Sequence, residues 1–178
     1  MLRALAILIF LVTAVGVTVV LAGHFPGDRW LLLRLAIDLL LSFVAVLVHE
    51  LGHAAAAYRF GADIRAIVVL PFELRLKPRR WRMQWRAGKG DLGGYVTYRL
   101  DRIGARRKHM AIAAAGPGAN LLLALAAGTI AAQFGIQTFA GTLLGAFAIL
   151  SAGMGLVNLL PYQGSDGAQI LQGFRAGH

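Results

Sequence analysis

Four long apolar runs decide what this chain can fold into. They cover roughly residues 5–22, 31–57, 110–132 and 139–160, and each supplies the 20 or so helical residues needed to cross a hydrocarbon core of about 30 Å. Lipid offers no water to backbone amides and carbonyls, so such segments must be helices that satisfy their own hydrogen bonds. The composition agrees, with 58% of the 178 residues apolar and only 15% charged, more apolar side chain than one small soluble core takes in. The expected fold is a polytopic α-helical membrane protein with four transmembrane helices. The first run has a second reading as a signal peptide, because Arg3 precedes it and "LAG" follows it.

Charge placement sets the expected orientation. Of the 18 Lys and Arg residues, 14 lie between Arg59 and Lys108, whereas the loop after the first run carries only Arg29. By the positive-inside rule this basic loop is cytoplasmic, and four crossings put both termini on the same side. The formal charge of +10 then follows from topology and from attraction to anionic headgroups. The Arg and Trp interleaving of "RRWRMQWR" also has the texture of a nucleic-acid surface, but a basic loop tethered between spans is explained without one, and no nucleic acid is expected.

The same loop has strand character. "AIVVLPFELRLK", "WRMQWR" and "GGYVTYRL" cluster β-formers and are punctuated by Pro71, Pro78, "AGKGD" and Gly93-Gly94. Two or more short strands are expected over about 63–100, as a membrane-associated β segment with Trp81, Trp85, Tyr95 and Tyr98 at the interface. An edge strand here could also pair with an extended peptide.

Near the end of the second run stands "VLVHELGHAAAAYRF". In a helix, His49 and His53 lie about 40° apart in azimuth and about 6 Å apart along the axis, so both imidazoles can reach one ion. Glu50 is turned by about 100°, placed to act on a water as a general base instead of ligating. Ionisable side chains in a membrane helix are expensive and point to function. With no cysteine in the chain, thiolate sites and disulfides are excluded, and the expected ion is one Zn2+ held by nitrogen and oxygen.

A catalytic zinc takes three protein ligands and keeps one position open. Asp38 is eleven residues, or about 16 Å, from His49 and reads better as an ion pair with Arg34. His24, His109 and His178 fall in loops or at an end of the sequence. Asp166, in "NLLPYQGSDGAQIL" after the fourth run, is the best candidate. Pro161 should end the fourth helix near Leu160, and the glycines around it should let Asp166 return toward the depth of the histidines.

Three separated motifs, "HELGH" at 49–53, "AAGPGAN" at 114–120 and "NLLPYQGSDG" at 158–167, resemble the site-2 proteases, the intramembrane zinc metalloproteases. "DLGGYVTY" is similar to that family's membrane-associated β segment. The resemblance covers the chain from about Leu31 onward, and "YQGSDG" departs from it in lacking a proline immediately before the aspartate. It implies that residues 1–178 form one intramembrane metalloprotease domain, without a PDZ or CBS domain. It further implies that His49, His53 and Asp166 are zinc ligands, that Glu50 is the catalytic acid and base, and that Asn120 lines the site near the scissile peptide. "AAGPGAN" also reads as small-residue helix packing with a proline kink.

The implied activity is hydrolysis of peptide bonds in or near the transmembrane segment of single-span proteins or leftover signal peptides, with the active site opening to the cytoplasm. Two other classes are compatible with parts of the pattern. One is a silent protease-like zinc-binding membrane protein, disfavoured by the presence of Glu50. The other is a metal or proton transporter, disfavoured because the ionisable residues cluster at one depth.

Overall fold

The computed structural model describes residues 2–83, 93–101 and 103–175. Trp85 and Lys89, and with them the "AGKGD" turn, as well as His178, lie outside the described residues.

The four apolar runs are helices: α1 (Leu2–His24), α2 (Leu31–Arg59), α3 (Ala105–Phe134) and α4 (Phe139–Leu159). All four are long and apolar enough to span a membrane. A four-stranded antiparallel sheet lies in the chain between α2 and α3: β1 (Asp63–Val69), β2 (Phe72–Leu76), β3 (Arg79–Met83) and β4 (Gly94–Arg99), in the order β3-β2-β1-β4. A last helix, α5 (Asp166–Arg175), was not anticipated. The protein is thus a mostly helical, multi-pass membrane protein carrying one small sheet.

Contacts divide the chain into two units, one of Met1–Ala45 and Asn120–Val157, the other of Val46–Ala119 and Asn158–His178. In the first, Val17, Leu21 and Ala146 form a buried cluster, with Ile37, Leu41, Ile149 and Leu150 packed around it. Small residues let these helices approach: a Cβ at Gly153 would meet Thr13 Oγ1 at 2.1 Å, and one at Gly16 would meet Ile149 at 3.2 Å. Ile7, Phe10, Val12, Leu32 and Leu39 point outward, an apolar surface that water would not tolerate but lipid requires. The ion pair expected between Arg34 and Asp38 is not formed. Arg34 instead reaches back to the Gly27 carbonyl at 3.5 Å, as a long basic side chain near a span's end does when it seeks the polar interface.

In the second unit, register explains the sheet's two faces. Phe72, Leu74 and Leu76 pair with Met83, Trp81 and Arg79, whereas the intervening Glu73 and Arg75 pair with Arg82 and Arg80. Apart from Arg79 at its end, one face of the β2–β3 hairpin is therefore apolar and the other charged. Glu73 is buried and is held by Arg75 Nε at 2.6 Å. Pro71 and Pro78 stand at the two hairpin turns, where a missing ladder donor does no harm.

Pro117 lies inside α3, which continues through it. The fourth helix ends at Leu159, and the following turn is closed by Ser165: its hydroxyl lies 2.6 and 2.7 Å from the Leu160 and Tyr162 carbonyls, either of which its one proton can reach, and accepts from Ala168 N–H at 3.1 Å. Ser165 is thus the N-cap of α5. Gly167 could be no larger residue, since a Cβ there would stand 2.1 Å from the Leu159 carbonyl oxygen.

Candidate metal centre

The second unit gathers the motif of α2, the first half of α3, strand β4 and the start of α5. His49 and Glu50 are buried, and the neighbouring Gly52 explains how α3 comes so close. A Cβ at Gly52 would lie 2.6 Å from the Ala115 carbonyl oxygen and 2.9 Å from Ala119 Cβ. Helices approach this closely only through glycine or similarly small residues.

Asp166 opens α5, which brings it to both histidines. His49 Nε2 is 3.0 Å from Asp166 Oδ2, His53 Nε2 is 3.4 Å from Asp166 Oδ1, and the two Nε2 atoms are 3.1 Å apart. Two nitrogens bound at 2.0–2.1 Å to one tetrahedral ion stand about 3.3 Å apart. The two histidine nitrogens therefore already stand near the spacing that one zinc ion demands, and an oxygen of the Asp166 carboxylate lies beside each of them. Among the described residues, His49, His53 and Asp166 are the group of His, Asp and Glu side chains that could hold a metal ion.

The surroundings orient the ligands. His53 Nδ1 lies 2.8 Å from the Ile112 carbonyl oxygen, so that nitrogen carries the proton and Nε2 is left as the ligand atom. Gly116 leaves space for the ring. Burial alone would raise the pKa of Asp166, but its hydrogen bonds with His49 and His53 outweigh burial and hold the carboxyl below its ordinary range. An ionised carboxylate is the form that binds a cation and offsets its charge. Glu50 lies beside β4: a Cβ at Gly94 would meet Glu50 Cγ and Oε1 at 2.7 Å each. Tyr98 and Tyr162 are partly buried, and burial followed by the charge of Asp166 raises both phenols.

Asn120 belongs to the other unit, where it is fully buried and its carbonyl accepts from Ser151 Oγ at 3.0 Å. His24 is packed with Phe25 and Phe139. His109 pairs with Tyr98 at 3.0 Å, a contact with no local signature in the sequence.

Residues 38–139, more than half of the chain, match the model of Peptidase family M50. The chain belongs to that family. Its M50 segment includes His49, Glu50 and His53 and stops short of Asp166. The chain is 26% identical over 165 residues to the zinc metalloprotease MJ0392 of Methanocaldococcus jannaschii, covering 93% of this chain and 39% of that protein. It is 25% identical over 146 residues to the putative zinc metalloprotease sll0528 of Synechocystis, covering 82% of this chain and 32% of that protein. It thus spans well under half the length of either relative. No solved structure matches it.

Proposed function

We propose that this chain is an intramembrane zinc endopeptidase that cleaves single-span membrane proteins or leftover signal peptides in or near their transmembrane segments. The observation that carries the reading is the gathering of His49, His53 and Asp166 with one ligand atom from each within 4.8 Å of the others, with Glu50 next to them in the H-E-x-x-H order.

His49, His53 and Asp166 would hold one zinc ion per chain. Zinc bound there supplies Lewis acidity, making water nucleophilic near neutral pH and drawing charge from the scissile carbonyl. Glu50 removes the proton of the attacking water and delivers it to the departing amine, two transfers that one carboxylate can perform in sequence. Gly94 keeps that carboxylate clear of side-chain bulk. The family resemblance would give Asn120 the task of donating its amide to the carbonyl oxygen as charge develops there. The Ile112 carbonyl fixes the His53 tautomer throughout.

A transmembrane substrate hides its peptide bonds in hydrocarbon, so the water must be brought to it in a polar, protein-lined place. The 14 basic residues between Arg59 and Lys108 favour a cytoplasmic opening and contact with anionic headgroups. The test is mass spectrometry of transmembrane peptides incubated with the purified protein and with its Glu50→Gln variant. Cleavage that disappears in the variant while zinc stays near one per chain is expected. Cleavage that persists would reject the role of Glu50, and loss of zinc would make Glu50 a ligand.

A further inference from the structure

His109 has no part in the metal cluster, yet it is tied to the elements that surround it. It stands in the first two turns of α3, with Nδ1 3.0 Å from the Tyr98 hydroxyl and the two rings 5.7 Å apart at 34°. Tyr98 is on β4, the strand whose backbone at Gly94 lies against Glu50. His109, Ile112 and Gly116 follow at i, i+3 and i+7 and so share one face of α3. Ile112 and Gly116 are the two residues of that face that hold the His53 ring.

Among the described strands β4 is an edge, laddered to β1 alone, and every side chain along it is exposed or half-exposed. The ladder is irregular between Ile64 and Ala66, and Ile64 is the partner of Tyr98. A bulge of this kind weakens pairing and lets a strand twist away. The end of β4 that bears Tyr98 therefore has less backbone pairing and no buried side chain to hold it.

We propose that Tyr98 and His109 are positioning residues: the hydrogen bond between the phenol and the imidazole clasps β4 to α3 and so fixes Glu50 relative to His53. The proposal rests on the reading of Glu50 as the general base. The clasp acts through the strand and touches no substrate, so it governs turnover, leaving metal binding and substrate affinity nearly unchanged.

The test uses detergent-purified full chain, a transmembrane peptide found to be cleaved in the preceding experiment, and four variants. Tyr98→Phe keeps the ring and removes only the hydroxyl, His109→Leu removes the hydrogen-bonding partner, and His109→Gln restores an amide that can donate or accept. Tyr98→Phe and His109→Leu should each lower kcat about fivefold, the worth of one neutral hydrogen bond, with KM within about twofold and zinc near one per chain. The double variant should fall no further than either single one, and His109→Gln should recover most of the rate. Additive losses, unchanged kcat, lost zinc or failure of Gln to rescue would each overturn the clasp. Amide hydrogen exchange supplies the readout that needs no cleavage. Tyr98→Phe should speed exchange in β4 and leave the β1–β2 ladder unchanged, and equal protection in β4 would reject the clasp even if the protein proved to have no peptidase activity.

Discussion

Gly116 leaves the space that the His53 ring fills: a Cβ there would stand 2.3 Å from His53 Nε2 and 2.4 Å from Cε1. The ring cannot retreat without losing the Ile112 carbonyl at 2.8 Å. Gly116→Ala should therefore weaken zinc binding by tenfold or more, the usual effect of disturbing a ligand's support. Competition with a chromophoric chelator measures it, and wild-type affinity would show that the ring can tilt freely.

Gly94→Ala should give the opposite pattern. Its Cβ would press on the Glu50 carboxylate at 2.7 Å and on the Val68 carbonyl oxygen at 2.9 Å, and neither is a metal ligand. Cleavage should drop on the order of 100-fold, as expected when a reacting group is displaced by about an ångström, with zinc stoichiometry unchanged. A variant that loses zinc and activity together would mean that β4 supports the ligands as well as the base.

Metal analysis of variants at Asp166 and Asp38 tests which aspartate is the third ligand. Asp166→Asn or Asp166→Ala should lower zinc affinity and abolish cleavage, because Asp166 lies 3.0 and 3.4 Å from the two histidines. Asp38→Asn should leave zinc at one per chain. Metal analysis on purified protein decides, and the reverse result would reassign the third ligand.

Sidedness follows from charge. Cysteine labels at Lys89 and Gln172 should both report the cytoplasm, and one at Gly27 the opposite side, since the chain between the second and third spans holds most of the Lys and Arg residues. A label at Lys89 reached from outside would place the opening on the other face.

The root of the sheet should respond to acid. Lys77 Nζ donates to Asp63, and this bond, before the more distant charges of Arg65 and Arg99, holds the Asp63 carboxyl below the ordinary carboxylate range. A depressed folded-state pKa means that the pair's contribution to stability is present above the unfolded value and is lost as pH falls through the folded one. Amide exchange at Ile64 and Arg65 should rise as the pH drops below about 4, and Lys77→Met should remove most of that dependence.

The spans were legible because length and hydrophobicity alone specify them, and the helices extend the runs by only a few residues at most ends. His49 and His53 were legible because helical spacing is local, and Pro161 marked the end of α4 for the same reason. The start of α5 was obscured because "GSDG" has the composition of a turn, although Ser165 ahead of Asp166 is a capping signal that could have revealed it. The Arg34–Asp38 pairing failed because spacing i, i+4 permits contact without weighing the pull of the interface on a long side chain. Nothing in the sequence joins Tyr98 to His109, since their meeting depends on how a strand returns to a helix.

His49 and Asp166 are 117 positions apart in the chain. An ion bound to both would act as a reversible cross-link, closing a loop nearly two thirds the length of the sequence and removing a large share of the freedom of the unfolded chain, as a long-range disulfide does. Metal supply would then govern more than turnover. Newly inserted chains short of zinc would keep α5 loosely attached, and the concentration of free metal would decide how long they resist the cell's proteases.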